Sequence, residues 1–202
     1  MAHIILASTS PRRIDLLRQA GLSPQIIPPD ADESILRGEA PRAMVARLAK
    51  DKAEAVCAKL LAAKGGKLVP NSIIIAADTT VVAPDGRKIL GKPRDAREAA
   101  RMLNTLMGET HTVLTGYCLL KINTLTFVRV VKSKVTLRKL SKRDIAKYVA
   151  TGEPMDKAGA YAAQGIGMSF IERINGSYAN VVGLPICQVM IDLEEKFGVS
   201  IL

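Results

Sequence analysis

A chain of 202 residues is long enough to bury a full core and suits a single domain, 1–202, built as two lobes. Hydrophobic residues make up 48% of it but aromatics only 3%, with no Trp, so the core must be aliphatic, and the composition argues against disorder. The net charge of +10 favours an anionic partner, while no apolar run approaches the roughly 20 residues of a membrane span.

The first element is a strand, Ile4-Ile5-Leu6-Ala7, which breaks into the polar turn Ser8-Thr9-Ser10 and opens a helix at Pro11. Ser10 suits the N-cap, Pro11 the first helical position, and Gly21 the helix stop. A helix N-terminus presents unpaired N–H groups and the positive end of its dipole, so Ser8, Ser10, Arg12 and Arg13 read as an anion cradle. Ordinary capping with solvated arginines is the plainer alternative, and this segment alone leaves both open. As a signal peptide the stretch fails, because Pro11, Asp15 and the arginines interrupt any apolar core.

A loop with Pro28-Pro29-Asp30-Ala31-Asp32-Glu33-Ser34 leads to a long helical segment, 41–64, that ends in Gly65-Gly66. Val45, Ala49, Lys52, Val56 and Leu60 share one face of it, and Lys52 is the charged member. That lysine either snorkels along the apolar stripe or aims into a site. Residues 72–77 read as an interior strand that delivers Asp78-Thr79-Thr80 at its carboxyl end, the edge at which open α/β sheets bind ligands.

Val81-Val82, the turn Pro84-Asp85-Gly86 and Ile89-Leu90 form a hairpin leading to Gly91-Lys92-Pro93, with Lys92 at a turn. Asp95 caps a structural helix with Glu98 three residues on, and Gly108 ends it. Two long β-rich runs, Thr110–Lys121 and 126–137, follow around a turn at Asn123-Thr124, and Ser141 begins another helix that closes at Gly152. The glycine-rich region 152–167 reads either as close backbone approach to a ligand or as a set of tight turns.

Cys57, Cys118 and Cys187 are odd in number and far apart, which argues against a disulfide framework and a structural zinc site and fits a reducing cytoplasm. With only His3 and His111, a multi-histidine metal centre is excluded, and carboxylates with a hard cation are the more natural chemistry. Basic residues are scattered, and the one basic run, 129–142, lacks interleaved aromatics, which disfavours general nucleic-acid binding. Neither GxxxxGK[ST] nor GxGxxG is present, so the phosphate-like features have another origin.

Taken together, Ala7-Ser8-Thr9-Ser10-Pro11-Arg12-Arg13 with Leu16-Leu17, Ala77-Asp78-Thr79, Gly91-Lys92-Pro93, the 152–164 segment, Ile174-Asn175-Gly176-Ser177-Tyr178 and Val182-Gly183-Leu184-Pro185 closely resemble the Maf family of nucleoside triphosphate pyrophosphatases. The resemblance spans nearly the whole chain. It implies an α/β fold related to the inosine triphosphate pyrophosphatases, with an elongated mixed β-sheet, flanking helices and a deep cleft between two lobes. It also implies a house-cleaning reaction that cleaves a nucleoside triphosphate between the α and β phosphates with a divalent metal, Mg²⁺ or Mn²⁺.

The family's catalytic carboxylate matches Asp78, its phosphate-contacting basic residues match Arg13, Lys52 and Lys92, and its loop acid matches Glu33. Glu33 and Asp78 are then the metal-binding candidates, and Ser8 and Ser10 join the substrate-binding set. The branch resembling dTTP and UTP pyrophosphatases has arginine, threonine and glutamine where this chain has Arg12, Thr79 and Gln164, whereas the 7-methyl-GTP branch has tryptophan in place of Arg12. Modified pyrimidines such as pseudo-UTP or 5-methyl-UTP fall within the same expectation. The family is also associated with septum formation and cell-division arrest, so a non-enzymatic nucleotide-binding or nucleic-acid-binding regulator is the competing reading, and the sequence leaves a homodimer open.

The residues can support that chemistry by themselves. Attack by water on the α-phosphorus needs a positioned, deprotonated nucleophile and neutralisation of the charge that develops. Asp78 suits the first need, as general base or as metal holder, and the sequence leaves both roles open. Arg13, Lys52 and Lys92 suit the second, and the Gln164 amide can both donate to and accept from a pyrimidine edge.

Overall fold

Apolar residues occupy every position of Ile4–Leu6 (β1) and all but a few polar ones of Ile73–Val82 (β3), the pattern of strands covered on both faces. The structure, a computed structural model describing residues 3–63 and 71–199, bears this out. β1 pairs in parallel with Gln25–Ile26 (β2) on one side and with β3 on the other, Ile4 opposite Ile73. With Ile89–Leu90 (β4), Thr110–Lys121 (β5), Leu125–Leu137 (β6) and Ile171–Asn175 (β7), these form a seven-stranded mixed sheet in the order β2-β1-β3-β5-β6-β7, β4 pairing antiparallel with β3. Among the described residues six α-helices accompany it: Pro11–Gln19 (α1), Pro41–Ala62 (α2), Ala96–Leu106 (α3), Lys142–Ala150 (α4), Tyr178–Val182 (α5) and Ile186–Phe197 (α6).

The chain divides into two compact units, with one boundary inside β3 between Asp78 and Thr79. The first unit comprises Met1–Asp78, Thr115–Val131 and Gly183–Leu202. Side chains alternate across its strands, so Ile4, Leu6, Ile73 and Ile75 pack toward α1 and α6, while Ile5, Ala7, Ile74 and Ala76 pack toward Ala49, Ala53 and Val56 of α2. At Gly116 the sheet and α2 approach so closely that a Cβ would lie 2.2 Å from the Val45 carbonyl oxygen.

The second unit comprises Thr79–Leu114 and Lys132–Val182. Its core gathers Leu103 and Leu106 of α3, Ile145 and Tyr148 of α4, and Val113, Val135 and Phe170. Sequence capping signals hold here: Asp95 accepts from the Glu98 amide at 2.7 Å and Ser141 from the Asp144 amide at 3.1 Å. Among the described residues, no helix is long and apolar enough to cross a membrane.

Several expectations need correction. Ser10 occupies the N-cap of α1 but makes no side-chain cap; instead its own amide donates to Ser8 Oγ at 3.2 Å, so the turn is tied backwards rather than into the helix. α1 does close at Gly21, whose φ of 83° allows the Leu22 amide to reach the Leu17 carbonyl. α2 ends at Ala62, and the expected stop at Gly65-Gly66 lies outside the described residues. Leu60 is half-buried rather than part of the fully buried stripe, and β6 begins at Leu125, one residue before the expected start.

Candidate active site

Alternation along β3 decides where the key acid points. Asp78 shares the parity of Ile74 and Ala76, the residues that meet α2, and it is 9% exposed. The strand does not stop before it, because Val81 and Val82 pair with Leu90 and Ile89 and carry β3 on to Val82. Asp78 therefore lies within a strand and not at a carboxyl edge, and the sheet-edge argument for it fails even though the residue is well placed.

Lys52 faces it from α2. The sequence left snorkelling and an inward aim open; the side chain is buried, and its ammonium donates to Asp78 Oδ1 at 2.7 Å and to Glu33 Oε2 at 2.8 Å. A buried lysine is tolerated because both contacts are charge-assisted hydrogen bonds to carboxylates. Glu33 itself stays exposed on the loop ahead of α2.

Arg13 completes the cluster from the first turn and a half of α1. Its Nε donates to the Gly183 carbonyl at 2.9 Å, and one terminal nitrogen reaches Ser8 Oγ at 3.4 Å. Burial pulls the Arg13 guanidinium below its ordinary value, Asp78 and Glu33 oppose that pull, and Arg12 reinforces it. Two cationic side chains, two carboxylates and a buried hydroxyl are thus brought together within the first unit. Such a set can bind a phosphate chain and hold an acid against it.

A hard divalent cation also fits. Among the described residues no three His, Cys, Asp or Glu side chains cluster, but Mg²⁺ commonly takes one or two carboxylates and fills its shell with water and substrate phosphate. Glu33 and Asp78, which converge on one ammonium, are the two carboxylates that would supply such oxygen donors.

The loop that carries Glu33 is itself anchored by residues that sequence reasoning missed. Arg47 of α2 grips both oxygens of Glu39 at 2.7 Å and donates to the Ser34 carbonyl at 3.0 Å, while Asp32 accepts from the Ser34 amide and hydroxyl. The Ser34 amide, then its hydroxyl, hold the Asp32 carboxyl below its usual range. The available signal was the i, i+4 spacing of Arg47 and Asp51 on α2, while Glu39 lies ahead of the helix and its pairing gave none. Gly183 was visible only as part of a motif, and its role in holding Arg13 is purely tertiary.

Arg12, half-buried on α1, and Ser10 lie in the first unit, and the other expected residues lie in the second. Thr79 is half-buried on β3; Lys92 is exposed between Gly91 and the buried Pro93; Gln164 is exposed just ahead of the 3₁₀ segment Gly165–Phe170. The Gly91 carbonyl accepts from the Gly159 amide at 3.1 Å, which ties the Lys92 turn to the 152–164 segment. Gly159 has φ of 72°, and a Cβ there would lie 3.1 Å from Val81, so what this glycine approaches closely is a side chain of the same unit, as the tight-turn reading has it.

A family model described as Maf-like protein matches residues 3–196 of the chain. The dTTP/UTP pyrophosphatase of Anaeromyxobacter dehalogenans (strain 2CP-C) is 46% identical over 189 residues, covering 92% of this chain and 90% of that protein. The dTTP/UTP pyrophosphatase of Geotalea uraniireducens (strain Rf4) is 44% identical over 198 residues, covering 98% and 96% respectively. Among solved structures, a nucleoside-triphosphatase, dITP/XTP pyrophosphatase, from Mycobacterium abscessus aligns with a TM-score of 0.40 at 12% identity over 68% of this chain and 75% of that one, a likeness too slight to bear on activity.

Proposed function

The chain belongs to the family of Maf-like proteins, and from that premise we propose that it is a nucleoside triphosphate pyrophosphatase acting on dTTP and UTP. Water adds to the α-phosphorus, the bond to the bridging oxygen of the β-phosphate breaks, and a nucleoside monophosphate and pyrophosphate leave. The observation that carries this reading is the buried Lys52–Asp78 pair, joined by Glu33 and set beside Arg13 and Ser8.

Asp78 accepts the proton of the attacking water, and Lys52 keeps its carboxylate oriented for that transfer. Arg13 and Lys92 balance the charge that grows on the phosphates, with the Ser8 hydroxyl and the Ser10 turn lining the approach. Glu33 and Asp78 would hold a divalent cation, Mg²⁺ or Mn²⁺. When bound, that cation neutralises phosphate charge and acidifies water. Arg12, Thr79 and Gln164 choose the base. The Gln164 amide both donates and accepts, which matches the N3–H and carbonyl edge of thymine and uracil.

Pseudo-UTP and 5-methyl-UTP keep that edge, so the same recognition admits them. Arg12, where the 7-methyl-GTP branch has tryptophan, and the names of the relatives both favour the pyrimidine reading. The thiols of Cys57, Cys118 and Cys187 are all free, which suits a cytoplasmic enzyme.

The test is Asp78→Asn, assayed for pyrophosphate release from dTTP and UTP with Mg²⁺ or Mn²⁺ present. Turnover falls by roughly 10²- to 10⁴-fold, the range of a lost general base, while the circular dichroism spectrum is retained. Wild-type rates from a folded Asp78→Asn protein would remove Asp78 from the mechanism.

A further inference from the structure

Gln164 is exposed, yet the backbone on both sides of it is held. Upstream, the Ala162 amide donates to the Tyr148 hydroxyl at 3.1 Å, and the Ala163 carbonyl accepts from the Tyr178 hydroxyl at 3.0 Å. Downstream, the Ile166 and Gly167 amides donate to the two oxygens of Glu153, each at 2.9 Å. Tyr148 then donates to Glu153 at 2.7 Å, so the same carboxylate organises both flanks. Tyr148 is buried, Glu153 half-buried, and all of these residues lie in the second unit.

Two glycines show how closely the loop wraps these side chains. A Cβ at Gly165 would lie 2.2 Å from Glu153 Oε1, and one at Gly167 would lie 2.6 Å from the Tyr148 hydroxyl. Gly165 also needs a φ of 73°, which directs the chain so that the next two amides point at one carboxylate. Burial pulls the Glu153 carboxyl upward, but hydrogen bonds from Tyr148, Gly167 and Ile166 outweigh it and hold the group below its ordinary value.

We propose that Glu153 is a positioning residue for base selection, fixing Gln164 through a clamp made with Tyr148 and Tyr178. The inference rests on the reading of Gln164 as the residue that meets the pyrimidine. An exposed amide on a free loop loses rotational and backbone freedom when it engages a base, and that cost falls on both right and wrong bases alike. Holding residues 162, 163, 166 and 167 removes much of the cost beforehand and fixes the direction of the amide, so a base with the reversed donor and acceptor pattern is refused rather than accommodated.

The experiment compares kcat and KM for UTP and CTP, whose edges differ at C4 and N3, in wild type, Gln164→Ala, Glu153→Gln and the double variant. Both single variants lower the UTP-to-CTP ratio of kcat/KM by on the order of tenfold, mainly through KM for UTP, and the double variant loses little more than either. If Gln164→Ala shifts the ratio and Glu153→Gln does not, or lowers both substrates equally, the clamp is only structural and the inference is overturned. If Gln164→Ala leaves the ratio unchanged, the base-reading role of Gln164 fails first, and that result is distinct. Should Glu153→Gln fail to fold, Tyr148→Phe and Gly165→Ala perturb the same clamp from its other partners. An unchanged ratio in both would equally overturn it.

Discussion

Replacing Lys52 with Met removes the ammonium that Asp78 and Glu33 share, and the structure sets the size of the effect. At 2.7 Å and an effective dielectric constant near 20, the Lys52–Asp78 attraction is about 6 kcal/mol before desolvation is subtracted. The side chains are only 7% and 12% exposed, so Lys52→Met leaves a carboxylate in a poorly hydrated place, and breaking such a pair costs about 3–5 kcal/mol. Arg13 acts on Asp78 through its charge and softens the loss, which sets the expectation near the low end, about 3 kcal/mol. The Lys52–Glu33 contact, with Glu33 60% exposed, adds at most about 1 kcal/mol.

Urea unfolding of wild type, Lys52→Met, Asp78→Asn and the double variant reads the coupling directly. The double variant, which removes both members of the Lys52–Asp78 pair, is destabilised less than the sum of the singles by at least about 1 kcal/mol. Raising the salt leaves that coupling largely intact, since the pair is shielded from counterions. Additivity of the two substitutions within about 0.5 kcal/mol would refute the claim that the buried pair acts as a unit.

Other consequences follow from single contacts. His111 is 1% exposed, bonded through Nε2 to the Tyr161 hydroxyl at 2.8 Å, and burial lowers its pKa to about 4. The unfolded chain therefore takes up the proton first as pH falls, and stability contributed above pH 6.5 is lost progressively down to about 4, by up to about 3 kcal/mol. Denaturant titrations at several pH values should show that slope flattened in His111→Phe; an equal slope in the variant would assign the acid sensitivity elsewhere. Gly116→Ala places a methyl against the Val45 carbonyl and should cost about 1–3 kcal/mol, seen as a lower unfolding midpoint, whereas a neutral result would mean that α2 shifts freely. Lys92→Ala, at an exposed position, should leave stability within about 0.5 kcal/mol of wild type while reducing pyrophosphate release; unchanged kinetics would take Lys92 out of phosphate binding.

Much of the fold was legible because local signals and burial agreed. The Asp95 and Ser141 caps, the Val81-Val82 to Ile89-Leu90 hairpin and the buried stripe of α2 all follow from spacing and turn chemistry. Ser10 shows where such rules stop, since a good capping residue in a good position was diverted by its neighbour Ser8. Asp78 shows the same from the other side: the residue was singled out by its apolar context, but the strand read as ending at residue 77 continues past it to pair with β4.

The sequence by itself determined which residue types were available for chemistry, with no histidine-rich or cysteine-rich centre and a lone lysine on an apolar helical face, and through its ordered motifs it pointed to the Maf family. Only the tertiary structure decided which way Lys52 points, that Gly183 holds Arg13, and that Glu153 grips the loop around Gln164. Periodicity fixes the face on which a side chain sits, because it depends on neighbours along the chain. The partner across that face lies 26 residues away for Lys52 and 170 for Arg13, and only the folded chain brings such donors and acceptors within hydrogen-bond distance.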